Sequence, residues 1–429
     1  MKPPIHSASS LSKLGQRATE PPISWLMKMA IDRPQLISLA AGFTDSDSLP
    51  VAEARALMNE MLGSANSGRA ALQYGSTSGD ADLIRLTIER LLALEGAKAA
   101  SQRAYDPQRV VITHGSQQFL YLISEALCDP GDIVLVEDPT YFVFLGILQI
   151  HGVRTRGVPV TPDGMDLTAL EKVLESLRRR GELPKLKLLY LVSYFQNPSG
   201  VTTALEKKEA ALKLLRRYER DAGHPIYLLE DAAYRELRFS GPEIPSALSL
   251  PHSISRVIYT GTYSKPFATG VRVGFGLLPE TLLRVVYRIK GNHDFGTSNL
   301  LQRLLAMAMA TGRYEKHLPV LRRRYASKAA AMIEALKQHF PSSVQWLAPE
   351  GGMYIWAQLP KAIQTGPKSK FFRRVFARDV FYVPGEFCYA EDPARSKPRH
   401  EMRLSFGSAS ESNIREGIAR MGAVLKELT

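Results

Sequence analysis

Short apolar runs alternate with longer segments of helical periodicity through the middle of the chain. Several of these runs are continuously apolar rather than alternating, as in strands that are covered on both faces. The segments between them repeat apolar residues at helical spacing. This order predicts an α/β fold with a mostly parallel central sheet and crossover helices. The predicted strands are residues 109–113, 132–137, 187–192, 225–231 and 256–262.

The pattern changes after Thr311, where a charged helical segment is followed by short strand-like runs. This change predicts a smaller α+β domain at the end of the chain. The first 50 or so residues carry too few apolar side chains for a core of their own, so we expect them to pack on that smaller domain. The predicted parts are an N-terminal segment, a large domain and a small C-terminal domain, at residues 1–52, 53–312 and 313–429.

Length and charge narrow the classes of protein. A chain of 429 residues with 45% hydrophobic residues has material for two cores. The formal charge of +13 raises the question of a nucleic-acid partner. However, the basic residues form scattered short runs on helix-like segments, without a groove-reading motif. We therefore expect solvated basic faces and no nucleic-acid partner.

Cysteine usage and apolar run length indicate where the protein resides. Cys128 and Cys388 are the two cysteines, far apart and without metal-ligand spacing. This pattern argues against a disulfide framework and against a metal site, and it favours a reducing compartment. The first residues lack the apolar stretch of a secretory signal, and no run approaches the about 20 apolar residues of a membrane span. We expect a cytoplasmic protein without a membrane partner.

Lys265 and Arg272 lie seven residues apart, after a turn that contains Thr262 and Ser264. A lysine amine can form a Schiff base with an aldehyde, and an arginine fork can hold a phosphate. Together they point to pyridoxal 5'-phosphate (PLP), an aldehyde cofactor that carries a phosphate. A lysine in a polar turn is more often a solvated surface residue, so this pair requires support from the rest of the chain.

A second element suited to phosphate lies at the end of the first predicted strand. Gly115, Ser116 and Gln117 lead from that strand into a helix, whose first backbone N–H groups attract an anion. The alternative is that Ser116 only caps the helix. Ligands of open α/β sheets bind at the carboxyl ends of strands, where both phosphate-suited elements lie.

Other polar side chains at strand ends suit the ring of the same cofactor. Asp231 ends a predicted strand and can pair with a pyridine nitrogen, although it can also cap a helix. The Asn197 amide and the Tyr234 hydroxyl can donate to a ring oxygen. Tyr141, just past another strand, offers a face on which the ring can stack, although a lone tyrosine is more often part of a core.

Arg403 lies on a strand-like run of the predicted small domain. Its planar fork suits the α-carboxylate of an amino acid, although an arginine in such a run is more often a member of a surface ion pair. The backbone near Gly42 is predicted to line the same pocket.

The motifs that contain these residues, and their order along the chain, resemble those of a known family, the fold-type I, class I/II PLP aminotransferases. The resemblance is greatest to the branch of the 2-aminoadipate, aromatic and kynurenine aminotransferases, and it extends to the aminotransferase half of MocR-type regulators. It covers residues 36–407 through ISLAAG, LQYGSTSGDADLIRL, ITHGSQQFLYL, EDPTY, QNPSG, LLEDAAY, TYSKPFATGVRVGF, PEGGMYIW, VPGEFCY and MRLSFG.

The resemblance implies a role for each candidate. Lys265 is the Schiff-base lysine, Asp231 pairs with the ring nitrogen, and Arg403 binds the substrate carboxylate. Asn197 and Tyr234 contact the ring oxygen, while Tyr141 stacks on the ring. Tyr74 resembles the tyrosine that reaches the phosphate of a neighbouring subunit, which implies a homodimer with shared active sites. The implied phosphate ligands are Ser116, Gln117, Thr262, Ser264 and Arg272.

The chain departs from the family pattern near its N-terminus. Relatives that use 2-aminoadipate or glutamate often carry an Ile-Arg pair there, whereas this chain has Ile23, Ser24 and Trp25. A serine cannot supply the charge that reads an acidic side chain, and Trp25 favours an aromatic or apolar one. The segment GFTDSDSLP also differs from the Gly-Leu-Pro sequence that is usual in the family, so the sequence does not determine the shape of the pocket. A 2-aminoadipate or glutamate transaminase is the alternative.

The predicted reaction is a ping-pong transamination. An L-amino acid displaces Lys265, whose freed amine moves the α-proton, and a 2-oxo acid then takes the amino group. The family suggests 2-oxoglutarate as this acceptor. A PLP-dependent lyase or cyclase shares the same cofactor residues and stays open. A ligand sensor attached to a DNA-binding domain is disfavoured, because few residues precede the matched region.

Overall fold

The computed structural model describes residues 10–33, 35–96 and 102–428. Its α-helices are α1 (Lys13–Arg17), α2 (Pro22–Asp32), α3 (Val51–Leu62), α4 (Ala65–Leu72), α5 (Ala81–Glu95), α6 (Gly115–Leu127), α7 (Phe142–His151), α8 (Leu167–Arg179), α9 (Leu205–Ala222), α10 (Glu280–His293), α11 (Asn299–Ala310), α12 (Arg313–His339), α13 (Lys370–Phe376) and α14 (Glu411–Lys426).

The β-strands of the described residues form three sheets. They are β1 (Ile37–Ser38), β2 (Val110–Thr113), β3 (Ile133–Asp138), β4 (Arg154–Thr161), β5 (Gly164–Met165), β6 (Leu186–Val192), β7 (Tyr227–Asp231), β8 (Val257–Thr262), β9 (Gly274–Leu277), β10 (Gln345–Trp346), β11 (Tyr354–Gln358), β12 (Val380–Phe381), β13 (Val383–Pro384) and β14 (Glu401–Ser405).

The largest sheet has eight strands in the order β2-β9-β8-β7-β6-β3-β4-β5. Neighbours from β8 through β4 pair in parallel, while β9 and β5 run in the opposite direction. Every residue of β2, β3, β7, β8 and β9 is buried, as in a sheet covered on both faces. The predicted α/β class with a mostly parallel sheet is confirmed.

The five predicted strands all occur, but the hydrophobic pattern missed three others. Strand β4 contains two arginines, a glycine and a proline, and β5 has only two residues. In β9, whose sequence is GFGL, two glycines hide the strand signal. A side chain at Gly276 would overlap the ring of Phe119 on α6, which explains why the strand carries glycine there.

The helices that cover the sheet form where capping residues and apolar periodicity coincide. The Asp166 side chain accepts a hydrogen bond from the backbone N–H of Ala169 and so caps α8. Leu170, Leu174 and Leu177 repeat at helical spacing and form its buried face. Among the helices of the described ranges, none is both long and apolar enough to span a bilayer.

The second sheet is antiparallel, in the order β10-β11-β14-β13. Strand β1, near the N-terminus, pairs in parallel with β12, and the Ser405 N–H donates to the Leu39 carbonyl at 2.7 Å. The N-terminal segment therefore contacts the C-terminal part of the chain. On these contacts we propose the division into residues 1–52, 53–312 and 313–429.

Candidate active site

A cavity of about 270 Å³ lies where the carboxyl ends of the parallel strands face the small sheet and the N-terminal segment. The predicted site residues all line it, except Trp25 and Tyr74. The lining residues that sequence reasoning predicted are Gly42, Gly115, Ser116, Gln117, Tyr141, Asn197, Asp231, Tyr234, Thr262, Ser264, Lys265, Arg272 and Arg403.

Lys265 lies on the connection between β8 and β9, and it lines the cavity. The Nζ atom donates to the Gly42 carbonyl at 2.7 Å. Burial lowers the pKa of Lys265, and the Arg403 and Arg272 cations lower it further, while the Tyr354 hydroxyl acts in the opposite direction. A lowered pKa makes the neutral, nucleophilic amine more available near neutral pH.

An anion cradle lies beside Lys265, at the start of α6. The helix begins at Gly115, which has a φ of +69° that favours glycine, and no side chain caps its first turn. Ser116 lies inside the helix, so its interpretation as a helix cap is wrong, and Gly115, Ser116 and Gln117 of the first turn line the cavity. Arg272 borders these residues and donates from Nη1 to the Ser264 hydroxyl at 3.3 Å.

Asp231 is buried at the end of β7. Its carboxylate accepts hydrogen bonds from the Tyr190 hydroxyl at 2.8 Å and from the Ala233 N–H at 3.0 Å. Burial raises the pKa of Asp231 to about 6, although these two donors act to lower it. A cationic group in the cavity would compensate the buried negative charge. Tyr190 was not predicted as a site residue. The one feature of the sequence that indicates it is a polar hydroxyl within the aliphatic run of β6.

Arg403, on β14, connects three parts of the chain. It donates from Nη1 to the Asn197 side-chain oxygen at 2.8 Å and from Nη2 to the Ala40 carbonyl at 2.6 Å. Its Nε is buried and makes no hydrogen bond with any described residue. A buried donor without a partner is costly, so this atom suits an anionic group that enters the cavity.

Hydroxyl and amide groups lie beside Arg403 in the cavity wall. The Asn197 amide donates to the Tyr234 hydroxyl at 3.3 Å, and that hydroxyl lies 3.3 Å from the hydroxyl of Tyr354. Tyr354 also lines the cavity, and sequence reasoning missed it because its partners are distant along the chain. Tyr141 lines the cavity just before α7, and burial raises the pKa of its hydroxyl.

The structure does not bring two predicted residues to this cavity. Trp25 packs its ring against Phe372, Phe381 and Phe387, and the next residue, Leu26, lines the cavity instead. Successive helical residues point about 100° apart, so an error of one position moves the contact to another face. Trp25 therefore does not line this cavity, and its neighbour Leu26 does.

Tyr74 lies outside the cavity of its own chain. It is 82% exposed, and its ring lies 5.3 Å from the ring of Phe295, which is 57% exposed. The prediction that Tyr74 acts on a neighbouring subunit requires such exposure, and it stays a prediction.

The donor set fits PLP. The cradle of α6 and Arg272 suits a dianionic phosphate, the Lys265 amine suits an aldehyde, and the buried Asp231 carboxylate suits a protonated ring nitrogen. The unpartnered Nε of Arg403 leaves a separate position for a carboxylate. The fold and this site define a PLP-dependent aminotransferase of fold type I.

The chain belongs to the family of class I and II aminotransferases, whose sequence profile matches residues 34–421. It is 33% identical to aromatic-amino-acid aminotransferase 1 of Thermococcus litoralis, over 96% of this chain and 93% of that protein. It is 32% identical to the 2-aminoadipate transaminase of Thermus thermophilus, over 99% and 98% of the two chains.

A solved structure has the same architecture. The kynurenine aminotransferase of Pyrococcus horikoshii superimposes with a TM-score of 0.87 at 33% identity, over 98% of both chains. The prediction of a PLP-dependent amino-acid transaminase of this branch is confirmed, and PLP is its cofactor.

Proposed function

We propose that the protein transfers the amino group of an L-amino acid with an aromatic or apolar side chain to 2-oxoglutarate. One observation carries the choice of donor: among the described residues that line the cavity, the cations are Lys265, Arg272 and Arg403. Each has a proposed role in binding cofactor or α-carboxylate, so no lining cation is dedicated to an acidic side chain. The second carboxylate of 2-oxoglutarate, the acceptor that the family suggests, would also bind without one. The remaining wall is apolar and includes Leu26, Phe43, Phe142 and Val143.

Cofactor binding is assigned to the strand ends. Gly115, Ser116, Gln117 and the turn from Thr262 to Ser264 surround the phosphate together with Arg272. Asp231 holds the proton on the ring nitrogen, Asn197 and Tyr234 donate to the ring oxygen, and Tyr141 stacks on the ring. When bound, PLP supplies an electron sink that makes the α-proton of an amino acid acidic.

The protein residues bind the substrate and move the proton. The free Nε of Arg403 receives the α-carboxylate, and the Gly42 segment closes the wall beside it. The Lys265 amine takes the α-proton and returns it to the cofactor's aldehyde carbon, two bonds away, which its lowered pKa favours. After the first oxo acid leaves, a second oxo acid uses the same groups in reverse order. The kinetics are therefore expected to be ping-pong.

A panel of amino donors tests this proposal. In half-reactions without acceptor, which convert the bound PLP to its amine form, the second-order rate constant should be higher for phenylalanine, tyrosine, tryptophan, kynurenine and leucine than for 2-aminoadipate and glutamate as donors. A preference for the acidic donors would overturn the choice of donor class. Release of ammonia without acceptor, in place of stoichiometric conversion of the bound cofactor to its amine form, would indicate a lyase.

The Lys265→Ala variant tests the proton carrier. We expect partial retention of PLP affinity, because the phosphate and ring contacts remain, and a loss of turnover of about a thousandfold or more. Lys187→Ala is the matched control, because Lys187 pairs with Asp132 outside the cavity. Normal turnover of Lys265→Ala would end the assignment.

We also infer a homodimer in which Tyr74 reaches the partner's cofactor phosphate. Leu72, Tyr74 and Phe295 form an exposed apolar patch that a second copy would cover. Co-expression of Tyr74→Ala with Lys265→Ala tests this arrangement, because a mixed dimer has one site with both residues intact. About one quarter of wild-type activity should return if dimers form at random. Activity no higher than the sum of the separate variants would contradict shared sites.

The proposed location is the cytoplasm. Cys128 and Cys388 are free and buried, which suits a reducing compartment. Fractionation of cells that produce the protein, with immunodetection in each fraction, tests this location. Recovery in a membrane or secreted fraction would contradict it.

A further inference from the structure

Tyr354 lies where the small sheet meets the cavity. It begins β11, pairs in register with Ser405 on β14, and is 2% exposed. Among the described lining residues, Tyr354 and Arg403 are the two that come from the small sheet. The position of the small sheet therefore determines where the Tyr354 side chain meets the cavity residues of the large sheet.

The ring of Tyr354 supports the proposed carboxylate-binding residue. The guanidinium carbon of Arg403 lies 4.3 Å from the centre of this ring. A cation over a buried aromatic face is attracted to it, and this contact restricts how the guanidinium can turn. The ring thus supports a guanidinium that lines the cavity and whose Nε is without a partner among the described residues.

The hydroxyl of Tyr354 supports a different part of the site. It lies 3.3 Å from the Tyr234 hydroxyl, which accepts from the Asn197 amide at 3.3 Å. A Cβ atom on residue 42 would lie 2.9 Å from the Tyr354 hydroxyl, so glycine at that position leaves room for it. Gly42 also accepts from Lys265, which places this hydroxyl near the reacting amine.

The direction of these hydrogen bonds follows from proton counting. Once Tyr234 donates its single proton to the cofactor's ring oxygen, it has none left for Tyr354. Tyr354 must then donate to the Tyr234 oxygen. A phenol that accepts hydrogen bonds becomes a stronger donor, because the bonds in a chain polarise one another.

We propose that Tyr354 is a positioning residue with two separable parts. Its hydroxyl strengthens the hydrogen bond from Tyr234 to the cofactor's ring oxygen, and its ring orients Arg403 for the substrate carboxylate. This inference rests on the proposed roles of Tyr234 and Arg403. It adds a residue through which the small sheet acts on the cofactor.

Tyr354→Phe removes the hydroxyl and keeps the ring. The probe is the visible absorption band of the PLP-loaded enzyme without substrate, titrated against pH. The deprotonated Schiff base carries the phenolate that Tyr234 stabilises, so a weaker hydrogen bond should raise the midpoint, by about half a pH unit. Values of KM for amino donor and oxo acid should change little.

Tyr354→Leu removes both parts. Its midpoint should rise as in Tyr354→Phe, and KM should rise about threefold to thirtyfold for both donor and acceptor, since both carry the carboxylate that Arg403 binds. Tyr382→Phe is the matched control. Tyr382 is a buried tyrosine of the same region, and its hydroxyl donates to the Thr365 carbonyl away from the cavity.

The Tyr234→Phe background tests the route of the effect. There the Tyr354→Phe substitution should no longer move the midpoint, because Tyr234 has no hydroxyl to receive the bond. An unchanged midpoint in Tyr354→Phe, or an equal shift in both backgrounds, would overturn the inference. These results leave the proposed function standing if the wild-type enzyme transaminates. Absence of transamination by the wild type would instead overturn the proposed function.

Discussion

At the scale of single residues, Asp231 opposes the stability of the protein without its cofactor. Its pKa is raised from 3.8 to about 6 in the fold. The neutral carboxyl is the form that the fold tolerates, so its contribution is intact below pH 3.8 and is lost as the pH rises through 6. Above that pH the buried charge costs about 3 kcal/mol.

Asp231→Asn should therefore stabilise the cofactor-free protein at pH 8 by up to about 3 kcal/mol and have little effect at pH 3.5. The same variant should lose affinity for PLP, because an amide does not hold the proton on the ring nitrogen. Urea unfolding at the two pH values and a fluorescence titration with PLP measure both effects.

Glu137→Gln is the control for the opposed effects on stability and on PLP affinity. Glu137 is buried on β3 outside the cavity lining, and burial raises its pKa to about 8. Its removal should stabilise the protein at high pH without a comparable loss of PLP affinity. Equal losses of PLP affinity in both variants would contradict the role given to Asp231.

Tyr190 limits the cost of the Asp231 charge through its hydrogen bond of 2.8 Å. Tyr190→Phe should raise the pKa of Asp231 further and lower the free energy of unfolding at pH 8 by about 1.5 to 3 kcal/mol, with a smaller loss below pH 4. Tyr194→Phe is the matched control, since its buried hydroxyl has no hydrogen-bond partner in the described ranges. A loss independent of pH would show that packing, and not the charge, is responsible.

The individual residues differ in how far the sequence alone predicts them. Asp231 ends a strand, and Asn197 and Lys265 follow strands. Parallel strands bring their carboxyl ends together, so the pattern was sufficient to group these residues. Tyr190 and Tyr354 could not be predicted, because their partners are set by strand register and by packing between sheets. Trp25 does not line the cavity although Leu26 does, since the helical pattern does not fix which neighbour faces the cavity.

At the scale of elements, the contact between β9 and α6 positions the anion cradle that we propose for the phosphate. A Cβ atom at Gly274 would lie 2.5 Å from the Ser116 nitrogen, so the strand and the first turn of the helix are in direct backbone contact. Gly274 and Gly276 are also the reason why the hydrophobic pattern did not predict β9. Local propensity thus failed at a position where close packing decides the sequence.

Gly274→Ala should force the first turn of α6 away from β9. We expect a loss of about 1 to 3 kcal/mol in unfolding free energy from overpacking, and a fall of about tenfold in PLP affinity. Calorimetry and fluorescence titration measure the two quantities.

Gly276→Ala separates the two effects. It lies on the same strand but meets the Phe119 ring, outside the cavity lining. Its stability should fall while the affinity of the folded protein for PLP stays near that of the wild type. A similar fall in affinity for both variants would mean that general distortion, and not the cradle, is measured.

At the scale of the whole molecule, the cavity depends on three distant parts of the chain. Arg403 binds the Ala40 carbonyl and Asn197, so the N-terminal segment, the large sheet and the small sheet meet at one side chain. A ligand that contacts all three parts binds the folded chain and not the unfolded one. Such a ligand must raise the apparent stability.

PLP at 100 times its dissociation constant should add about 2.7 kcal/mol, seen as a rise of several degrees in Tm that grows with PLP concentration. Lys265→Ala should show a smaller rise, and inorganic phosphate a smaller one still. A Tm that does not depend on PLP concentration would contradict a site formed only in the folded state.

Different parts of the chain supply the cavity lining, and this has a consequence for how the substrate preference of such an enzyme evolves. Leu26 and Phe43 come from the N-terminal segment, whereas Lys265, Arg272 and Asp231 come from the large sheet. Under the proposed function, substitutions in this segment are expected to alter which amino acid is accepted while the cofactor residues are inherited unchanged. Phe142 and Val143 on α7 complete the apolar wall, so part of the substrate preference stays with the large domain.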